Sequence, residues 1–434
     1  MKLSSKFFDK NHISEIRRYT NVSNRSLHVI SSKNSSIDTF KELGSELLVV
    51  ENEDLQNSIL QINDEYDLIV ITDLFELTDD IYNILKFTKS ILTNDGKLLV
   101  TSVNPKWNRV LKLFEILKLK TNTSNRSYIH PKKIGNIARS TGFDVNQYYS
   151  RQIFPFFLFG VGKVLNKTLE FLLLYFNVGI KNYLLFGVSN IEKKSYTKSI
   201  IIPAKNEEKN LVPLIERIPS FNENYELIVV YGHSKDNTEQ VALNLQDTFN
   251  EIDITVFKQS KNGKANAVWE AVDKAKYDLI AILDSDISVD PETLYDFFEI
   301  LENGNADFVN GTRLIYPMED KAMRAINTWG NKIFQFLISI VIGQNLTDSL
   351  CGTKVFKKSN IKKIKVWQDT ISAKDPFGDF DLLFSSAFSG DKILEYPVHY
   401  RARVYGETQI SRFKDGYKLI RYFLESFYLF NITK

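Results

Sequence analysis

The chain has 434 residues, and its 55 Lys and Arg against 53 Asp and Glu give a formal net charge of +2. This length is typical of two or three domains, and the composition, 43% hydrophobic and 25% charged, is that of an ordinary globular protein. The near-neutral balance argues against binding of a nucleic acid polymer. The single cysteine, Cys351, excludes an internal disulfide and a cysteine-based zinc site.

The distribution of apolar residues indicates no membrane span. The N-terminus lacks the apolar core of a signal peptide, and no stretch approaches the roughly 18 apolar residues that a span requires. Three shorter apolar segments, 153–162, 333–346 and 419–431, can either pack in a core or lie on a bilayer surface. We therefore expect a cytoplasmic protein, and peripheral contact at the cytoplasmic face of the membrane stays open.

Strand-like and helical patterns alternate in the first half of the chain. Strands are predicted over 25–31, 46–50, 67–72, 97–102 and 183–188, with helices over 79–92 and 131–141. Such alternation predicts a mainly parallel, doubly wound sheet. A polar, basic run over 190–197 marks a boundary, so we predict one domain over 1–192 and a second over 197–434.

The order of these elements resembles the class I S-adenosylmethionine-dependent methyltransferases. The resemblance rests on Tyr66-Asp67-Leu-Ile-Val-Ile-Thr-Asp73 and on the later run Asp95-Gly96-Lys97-Leu-Leu-Val. The family has a glycine-rich loop after its first strand, whereas residues 27–36 contain no glycine here. Side chains at that place would obstruct the approach of a cofactor. We therefore expect a degenerate methyltransferase-like domain and argue against S-adenosylmethionine as its cofactor.

In the second half, polar turns follow predicted strands. These turns are Pro203-Ala204-Lys205-Asn206-Glu207, then Ser234-Lys235-Asp236, and finally Asp284-Ser285-Asp286; the turn Gly263-Lys264 precedes a helix. Ligands of open α/β sheets bind beyond the carboxyl ends of the strands. Two nearby carboxylates suit a hard cation such as Mg2+, which neutralises a diphosphate. Asp and Ser are also common turn residues, so Asp284-Ser285-Asp286 by itself leaves a plain turn open.

These turns, taken in order, resemble the GT-A catalytic domain of family-2 glycosyltransferases, in particular the polyprenyl-phosphate sugar synthases. The resemblance covers about residues 197–420. It implies an α/β domain that takes a nucleotide-diphosphate sugar as donor and Mg2+ or Mn2+ as cofactor. It also implies inversion at the anomeric carbon, because a single displacement needs no enzyme nucleophile.

The resemblance assigns donor and metal residues. Those implied to bind the nucleotide sugar are Pro203, Ala204, Asn206, Glu207, Ser234, Asp236, Lys264, Asp284 and Arg401. The implied metal ligands are Asp284, Asp286 and His399, although a lone histidine is more often structural. Tyr231 stands where the family has an acidic residue, which leaves the base of the donor open. Glu207 and Asp236 could equally stabilise the start of a helix.

Catalytic and acceptor roles follow from the same resemblance. Asp286, Asp348, Arg313 and Arg403 are the implied catalytic residues, and Arg313, Arg324 and Asp379 are implied to bind the acceptor. The planar fork of arginine can hold a phosphate through two hydrogen bonds. A hydroxyl acceptor would need Asp348 as a base, whereas an ionised phosphate would not. Asp348 and Asp379 could also cap helices.

The sequence thus predicts an enzyme that moves a sugar to a lipid-linked phosphate or to a cell-surface glycan precursor. Two alternatives stay open. One is a methyltransferase whose second domain binds glycans, and the other is a non-catalytic scaffold.

Overall fold

The computed structural model describes residues 5–32, 37–51, 55–78, 80–116, 131–154, 161–173, 176–189, 193–316, 325–344, 346–403, 405 and 412–431. The chain forms two compact units. Unit 1 contains Met1–Asn190, Phe388–Lys392 and Tyr428–Lys434, and unit 2 contains Ile191–Ala387 and Ile393–Phe427. Two short segments from the second half of the chain therefore belong to unit 1.

Unit 1 contains a six-stranded sheet. Its strands are β1 Ser26–Ser31, β2 Glu46–Val50, β3 Tyr66–Ile71, β4 Leu92–Val103, β5 Phe143–Arg151 and β6 Lys181–Val188. The order is β2-β1-β3-β4-β6-β5, in which β1 to β4 are parallel and β6 is antiparallel to both neighbours. The sequence did not predict β5, because an irregularity between Val145 and Gln147 interrupts the alternation that marks a strand.

Helices cover both faces of this sheet. They are α1 Ser5–Thr20, α2 Ile37–Phe40, α3 Leu55–Leu60, α4 Leu74–Leu77, α5 Ile81–Ser90, α6 Asn108–Ile116, α7 Pro131–Ser140 and α8 Val161–Leu173. Ile16 of α1 packs with Val70 and Leu185 in one core. Ile84 of α5 and Ile134 of α7 lie in the second core.

Unit 2 contains a seven-stranded sheet. Its strands are β7 Lys198–Ala204, β8 Tyr225–Tyr231, β9 Asp253–Lys258, β10 Leu279–Ile282, β11 Phe308–Thr312, β12 Lys354–Lys357 and β13 Ile393–Pro397. The order is β13-β11-β12-β10-β7-β8-β9, and only β12 is antiparallel to its neighbours. The predicted fold class, two α/β domains each with a mainly parallel sheet, is confirmed.

The helices of the second half are α9 Leu211–Glu216, α10 Thr238–Thr248, α11 Lys264–Val272, α12 Leu294–Glu302, α13 Ala325–Ile342, α14 Ile361–Thr370, α15 Asp379–Phe388 and α16 Arg412–Asn431. Among the described helices, none has both the length and the hydropathy that a bilayer crossing requires. The apolar segments 333–346 and 419–431 lie largely within α13 and α16, while most of 153–162 lies outside the described residues.

The sheet register of unit 2 determines where the predicted site residues meet. Ile201 of β7 is opposite Ile282 of β10, and Ala204 of β7 is opposite Tyr231 of β8. These three strands are parallel and buried, which explains their nearly continuous apolar sequences. Their carboxyl ends therefore lie side by side at one edge of the sheet.

Candidate active site

The loops after β7, β8 and β10 are joined by hydrogen bonds. Ser285 donates its hydroxyl to the carbonyl oxygen of Pro203 at 2.9 Å. The Asn206 amide, in a residue with φ 58°, donates to Ser234 Oγ at 3.1 Å, and Lys235 N donates to Asn206 Oδ1 at 2.7 Å. The structure thus brings together the predicted donor-binding residues of the first two loops. It also links them to the loop after β10, residues 283–290, which we call the acidic loop because it carries Asp284, Asp286 and Asp290.

Asp236 connects the start of α10 to the loop after β7 through hydrogen bonds. Its Oδ2 accepts the Glu208 amide at 3.2 Å, and its Oδ1 accepts the Thr238 amide at 3.1 Å. Burial opposes ionisation of Asp236, but the Thr238 hydroxyl and these amides outweigh it and hold the pKa of Asp236 below its ordinary value. The carboxylate therefore has the local structural role that the sequence left open.

Glu207 is a buried carboxyl close to the acidic loop. Its amide donates to Thr238 Oγ1 at 2.8 Å, and Asn210 donates to its side chain. Burial raises the pKa of Glu207 to about 7, and the charge of Asp286 acts in the same direction. Near neutral pH this carboxyl is therefore partly protonated.

Lys264 and Asp284 form an ion pair at the amino end of α11. Lys264 Nζ lies 2.6 Å from Asp284 Oδ1 and 3.8 Å from Asp379 Oδ2. Burial would lower the pKa of Lys264, but the charges of Asp284 and Asp379 outweigh burial and raise it. Gly352 lies against this pair, since a Cβ there would be 2.0 Å from Asp284 Oδ2 and 2.8 Å from Lys264 Nζ.

A second lysine, Lys354, lies at the site although the sequence did not indicate it. It begins β12, is fully buried, donates to the Cys351 carbonyl, and lies 3.4 Å from Asp379 Oδ1. Asp379, predicted to bind the acceptor, therefore lies between two lysines at the start of α15. The sequence signal was weak, because Lys354 begins a four-residue strand that also ends in a lysine, Lys357.

Asp286 is held in a tight turn and paired with Arg403. Arg403 Nη2 lies 2.7 Å from Asp286 Oδ2. Asp286 Oδ1 accepts the Ser288 amide at 3.0 Å and the Ser288 hydroxyl at 2.7 Å. Ile287, between them, has φ 53°, a conformation that is strained for a β-branched residue. This turn directs Asp286 towards the segment that follows β13.

The segment after β13 runs along the acidic loop. Tyr400 forms a β-bridge with Val289, and Arg401 N donates to the Ser288 carbonyl at 2.9 Å. The Arg401 side chain is paired with Asp290, with Nε 2.9 Å from Oδ1. Farther on, the Tyr405 hydroxyl donates to Glu208 Oε1 at 3.1 Å. The segment therefore reaches from the acidic loop to the loop after β7.

Arg313 and Asp348 form a buried ion pair with two parallel hydrogen bonds. Arg313 Nε lies 2.6 Å from Asp348 Oδ2 and Nη2 lies 2.9 Å from Oδ1, while the Arg313 amide also donates to Oδ2 at 3.1 Å. Glu395 of β13 accepts the Thr347 amide at 2.6 Å and the Asp348 amide at 2.9 Å. The sequence gives no sign of a role for Glu395, because only pairing of β13 with β11 brings it to this loop.

The predicted three-residue metal site is not assembled. Within the part of the chain that the structure describes, no group of three or more His, Cys, Asp or Glu side chains could hold a metal ion. His399 is exposed, and its ring stacks on Tyr316 at a centroid distance of 4.2 Å. The structure does not group His399 with Asp284 and Asp286, and the three-residue metal set stays a prediction of the sequence. Arg324 lies outside the described residues.

Comparison with known proteins identifies the family of this region. Residues 199–365 match the family model described as Glycosyl transferase family 2. Unit 2 carries a family-2 glycosyltransferase domain. The glycosyltransferase domain includes β7 to β12, and the match confirms the prediction of such a domain in the second half of the chain.

Two curated relatives match part of this chain. The low-salt glycan biosynthesis hexosyltransferase Agl6 of Haloferax volcanii is 25% identical over 234 residues, which are 52% of this chain and 53% of that protein. The dodecaprenyl-phosphate galacturonate synthase of Rhizobium johnstonii is 29% identical over 192 residues, 41% of this chain and 53% of that protein. The chain thus spans about half the length of these relatives.

Among solved structures, a glucosyl-3-phosphoglycerate synthase from Mycobacterium tuberculosis, in complex with Mn2+, uridine diphosphate and phosphoglyceric acid, is 18% identical with a TM-score of 0.41. That match covers 54% of this chain and 79% of the synthase chain.

Proposed function

We propose that this protein is a metal-dependent, inverting glycosyltransferase of the GT-A type that uses a nucleotide-diphosphate sugar as donor. The observation that carries the proposal is the meeting of Lys264 with Asp284, and of Asp286 with Arg403, beyond the carboxyl end of β10. Both carboxylates belong to the segment that matches family 2. Opposite charges are thus concentrated where open α/β sheets bind ligands.

Asp284 and Asp286 are the residues that would hold Mg2+ or Mn2+. Two carboxylates fit these hard cations, which complete their coordination with water and with substrate phosphates. When bound, the ion would neutralise charge on the diphosphate. The base of the donor stays open, since Tyr231 donates its hydroxyl to Glu239 at 3.2 Å.

In the proposed reaction, an acceptor oxygen attacks the anomeric carbon of the donor sugar. The bond between that carbon and the diphosphate oxygen breaks, and the nucleoside diphosphate leaves with the electron pair. Lys264 and Arg403 stabilise the negative charge that develops on the leaving group. A single displacement inverts the anomeric centre and uses no enzyme nucleophile.

The pairing of Asp348 supports an acceptor that is already ionised. Asp348 is fully buried, and both of its oxygens accept hydrogen bonds from Arg313. A carboxylate held in this way is poorly suited to remove a proton from a hydroxyl. We therefore assign Asp348 to positioning Arg313 and favour a phosphate acceptor over a glycan hydroxyl.

Exposed apolar side chains on unit 2 support a lipid-linked phosphate. Phe336 on α13 is exposed, and so are Ile420 and Leu424 on α16. Phe334 of α13 contacts Phe423 of α16, with ring centroids 6.4 Å apart, so the two helices are neighbours. Such a surface could meet the cytoplasmic face of a membrane and admit an acceptor from it.

For unit 1 we propose a degenerate methyltransferase-like domain that retains a structural role. At the carboxyl end of β3, Thr72 Oγ1 lies 2.8 Å from His28 Nε2 and 3.3 Å from His12 Nε2. All three side chains are buried, so the chain itself fills this edge. Titration calorimetry with S-adenosylmethionine should give no binding heat; saturable binding would contradict the proposal.

The donor site is tested with Asp286→Asn. A panel of nucleotide sugars with Mn2+ is first screened for a donor that raises the unfolding temperature. With that donor, Asp286→Asn should lower turnover by about 100-fold or more, because it removes charge needed to hold the cation. Asp278→Asn, an exposed position before β10, is the control. Wild-type turnover by Asp286→Asn would refute this site.

The acceptor is tested with a matched pair of lipids. A polyprenyl phosphate and the polyprenyl alcohol of the same chain length are each offered with the identified donor. Product from the phosphate alone is the expected result, since the alcohol needs a base that Asp348 does not provide. Equal product from the alcohol would overturn the assignment of both the acceptor and Asp348.

A further inference from the structure

Helix α8 of unit 1 buries two polar side chains and exposes three apolar ones together with Thr168. Asn166 and Glu170 are only 4% and 6% exposed. Val161, Val164 and Leu165 are 59%, 65% and 40% exposed. A surface helix of a globular protein normally shows the opposite arrangement. Among the residues of unit 1 that the structure describes, packing does not account for the exposed apolar side chains of α8.

The inward polar residues fix this orientation. Asn166 Oδ1 accepts the Phe154 amide at 2.8 Å, and Glu170 Oε1 accepts the Gln152 amide at 2.5 Å. Asn166 Nδ2 also donates to Glu170 Oε1 at 3.0 Å. Rotating the helix to bury its valines would leave these buried amides without acceptors, which is costly. The apolar face is thus directed outward by specific contacts.

Helix α6 carries a similar outward face. Val110, Leu113 and Ile116, at spacings of three residues, are 38%, 52% and 69% exposed. The turn before α6 is attached to the chain after α8, because Trp107 Nε1 donates to the Val178 carbonyl at 2.6 Å. From this attachment we infer that the exposed apolar side chains of the two helices form one surface, the α6–α8 face. It consists of Val110, Leu113, Ile116, Val161, Val164 and Leu165.

Charges beside this face indicate what it binds. Arg109 and Lys112 are exposed on α6, where the sole acidic residue, Glu115, is half-buried. Aliphatic side chains flanked by basic ones are typical of helices that lie in the surface of an anionic bilayer. Protein interfaces, by contrast, are enriched in aromatic residues and depleted of lysine. We propose that unit 1 docks on an anionic lipid bilayer through the α6–α8 face.

Vesicle flotation of the full chain tests this proposal. Vesicles of phosphatidylcholine alone are compared with vesicles that also contain phosphatidylglycerol, at low and high salt. The wild type should float with the anionic vesicles, and its binding should weaken as salt rises. Val164→Asp and Leu113→Asp should each reduce the bound fraction at least fivefold. Lys112→Glu should reduce binding to the vesicles that contain phosphatidylglycerol and leave binding to phosphatidylcholine vesicles unchanged.

Matched variants separate this face from other surfaces. Leu243→Asp, which alters an exposed leucine of α10 in unit 2, should bind vesicles as the wild type does. Lack of wild-type flotation with any vesicle would refute the proposal. The proposal would also be refuted if Val164→Asp bound vesicles as the wild type does while Leu424→Asp, on α16, abolished vesicle binding. A concentration-dependent dimer that Val164→Asp dissociates would identify the face as a protein interface instead.

The proposal does not depend on the proposed enzymatic function. Glycosyl transfer to a soluble acceptor would be compatible with vesicle binding, and a chain that floats but transfers no sugar would refute only the enzymatic assignment.

Discussion

At the scale of single residues, the candidate site consists of charges that already have partners. Lys264 is paired with Asp284, Lys354 with Asp379, and Arg403 with Asp286. A cation and a diphosphate would therefore have to replace some of these contacts when they bind. The pair between Arg403 and Asp286 is the one most directly affected, because both partners are proposed to contact the incoming ligand.

Gly352 is expected to matter for turnover and much less for folding. In Gly352→Ala the new Cβ would overlap the Asp284 carboxylate, at 2.0 Å from Oδ2 and 2.7 Å from Cγ, and crowd Lys264 Nζ. All of these atoms are at the ends of side chains. These ends can move aside, so the fold should survive while the ion pair is displaced. Displacement of reactive groups by about 1 Å can cost roughly 100-fold in rate. We expect a loss of that order, measured as donor turnover alongside thermal unfolding.

Gly416→Ala is the matched control, since no atom lies within 4 Å of a Cβ at that position. It should leave donor turnover unchanged. Full turnover by Gly352→Ala would contradict the placement of the Lys264–Asp284 pair in the donor site.

Glu207 should make stability depend on pH. Its native pKa of about 7 lies above the value of about 4.3 for an unfolded glutamate, so the native state binds more protons between these values. Its contribution to stability is therefore present below pH 4.3 and is lost as the pH rises through 7. In Glu207→Gln that dependence should be absent, measured as the free energy of unfolding by urea at several pH values.

The difference between wild type and Glu207→Gln should thus change steadily between about pH 4.3 and 7. Glu251→Gln, on the exposed turn after α10, controls for the loss of a carboxylate. If the free energy of unfolding changed with pH in the same way in wild type and Glu207→Gln, the Glu207 carboxyl would not be the source of the pH dependence.

At the scale of elements, a chain of contacts joins β11, the loop before β12, and β13. Arg313 follows β11 and holds Asp348, while Glu395 of β13 holds the backbone of the same loop. β12 is antiparallel to β11, so the loop returns to the end of β11 and can be fixed from both sides. The proposed acceptor side of the site therefore depends on three elements.

Breaking the Arg313–Asp348 pair should destabilise unit 2. Arg313→Ala leaves the fully buried Asp348 carboxylate without its main partner, a change that typically costs about 3–5 kcal/mol. Urea denaturation followed by circular dichroism measures this loss.

Arg217→Ala is the control, because Arg217 forms its ion pairs with Asp290 and Glu292 at a more exposed position. Removal of such a pair should cost about 1 kcal/mol or less. Equal losses of unfolding free energy in the two variants would mean that burial of the Arg313–Asp348 pair adds nothing to the cost of breaking it.

At the scale of the whole molecule, unit 1 is completed by residues from the far end of the sequence. Lys97 of β4 is paired with Asp391, and Asn146 of β5 donates to the Gly390 carbonyl at 3.0 Å. Both partners belong to the short segment Phe388–Lys392, which begins at the last residue of α15, ends just before β13 and is part of unit 1. The two units are therefore interleaved in sequence.

Asp391→Asn should destabilise unit 1, although residue 391 lies in the second half of the chain. The variant weakens the contact of a buried lysine, and removing one partner of such a pair typically costs about 3–5 kcal/mol. Hydrogen exchange of β4 amides reports the stability of unit 1 separately from unit 2. Faster exchange in β4 is the expected result.

Lys392→Ala is the control in the same segment, since its pair with Asp144 is about one quarter exposed on both sides. It should cost about 1 kcal/mol or less. Unchanged β4 exchange in Asp391→Asn would mean that unit 1 is stable without this segment.

The sequence by itself determined the α/β class, the alternation of strands and helices, and the order of the loops that bear charged residues. Apolar runs such as Leu279–Ile282 mark buried parallel strands regardless of what packs on them, because every position must be apolar. The strand Phe143–Arg151 was missed because its pattern is irregular and its partner β6 lies far along the chain.

Only the tertiary structure decided which charge is opposite which. The turn at Ile287 directs Asp286 to Arg403, the pairing of β13 with β11 brings Glu395 to Asp348, and residues 388–392 join unit 1. Such pairings are set by sheet register and by the closure of long loops. A local pattern of polar and apolar residues specifies secondary structure and burial but carries no information about a partner that is distant in sequence.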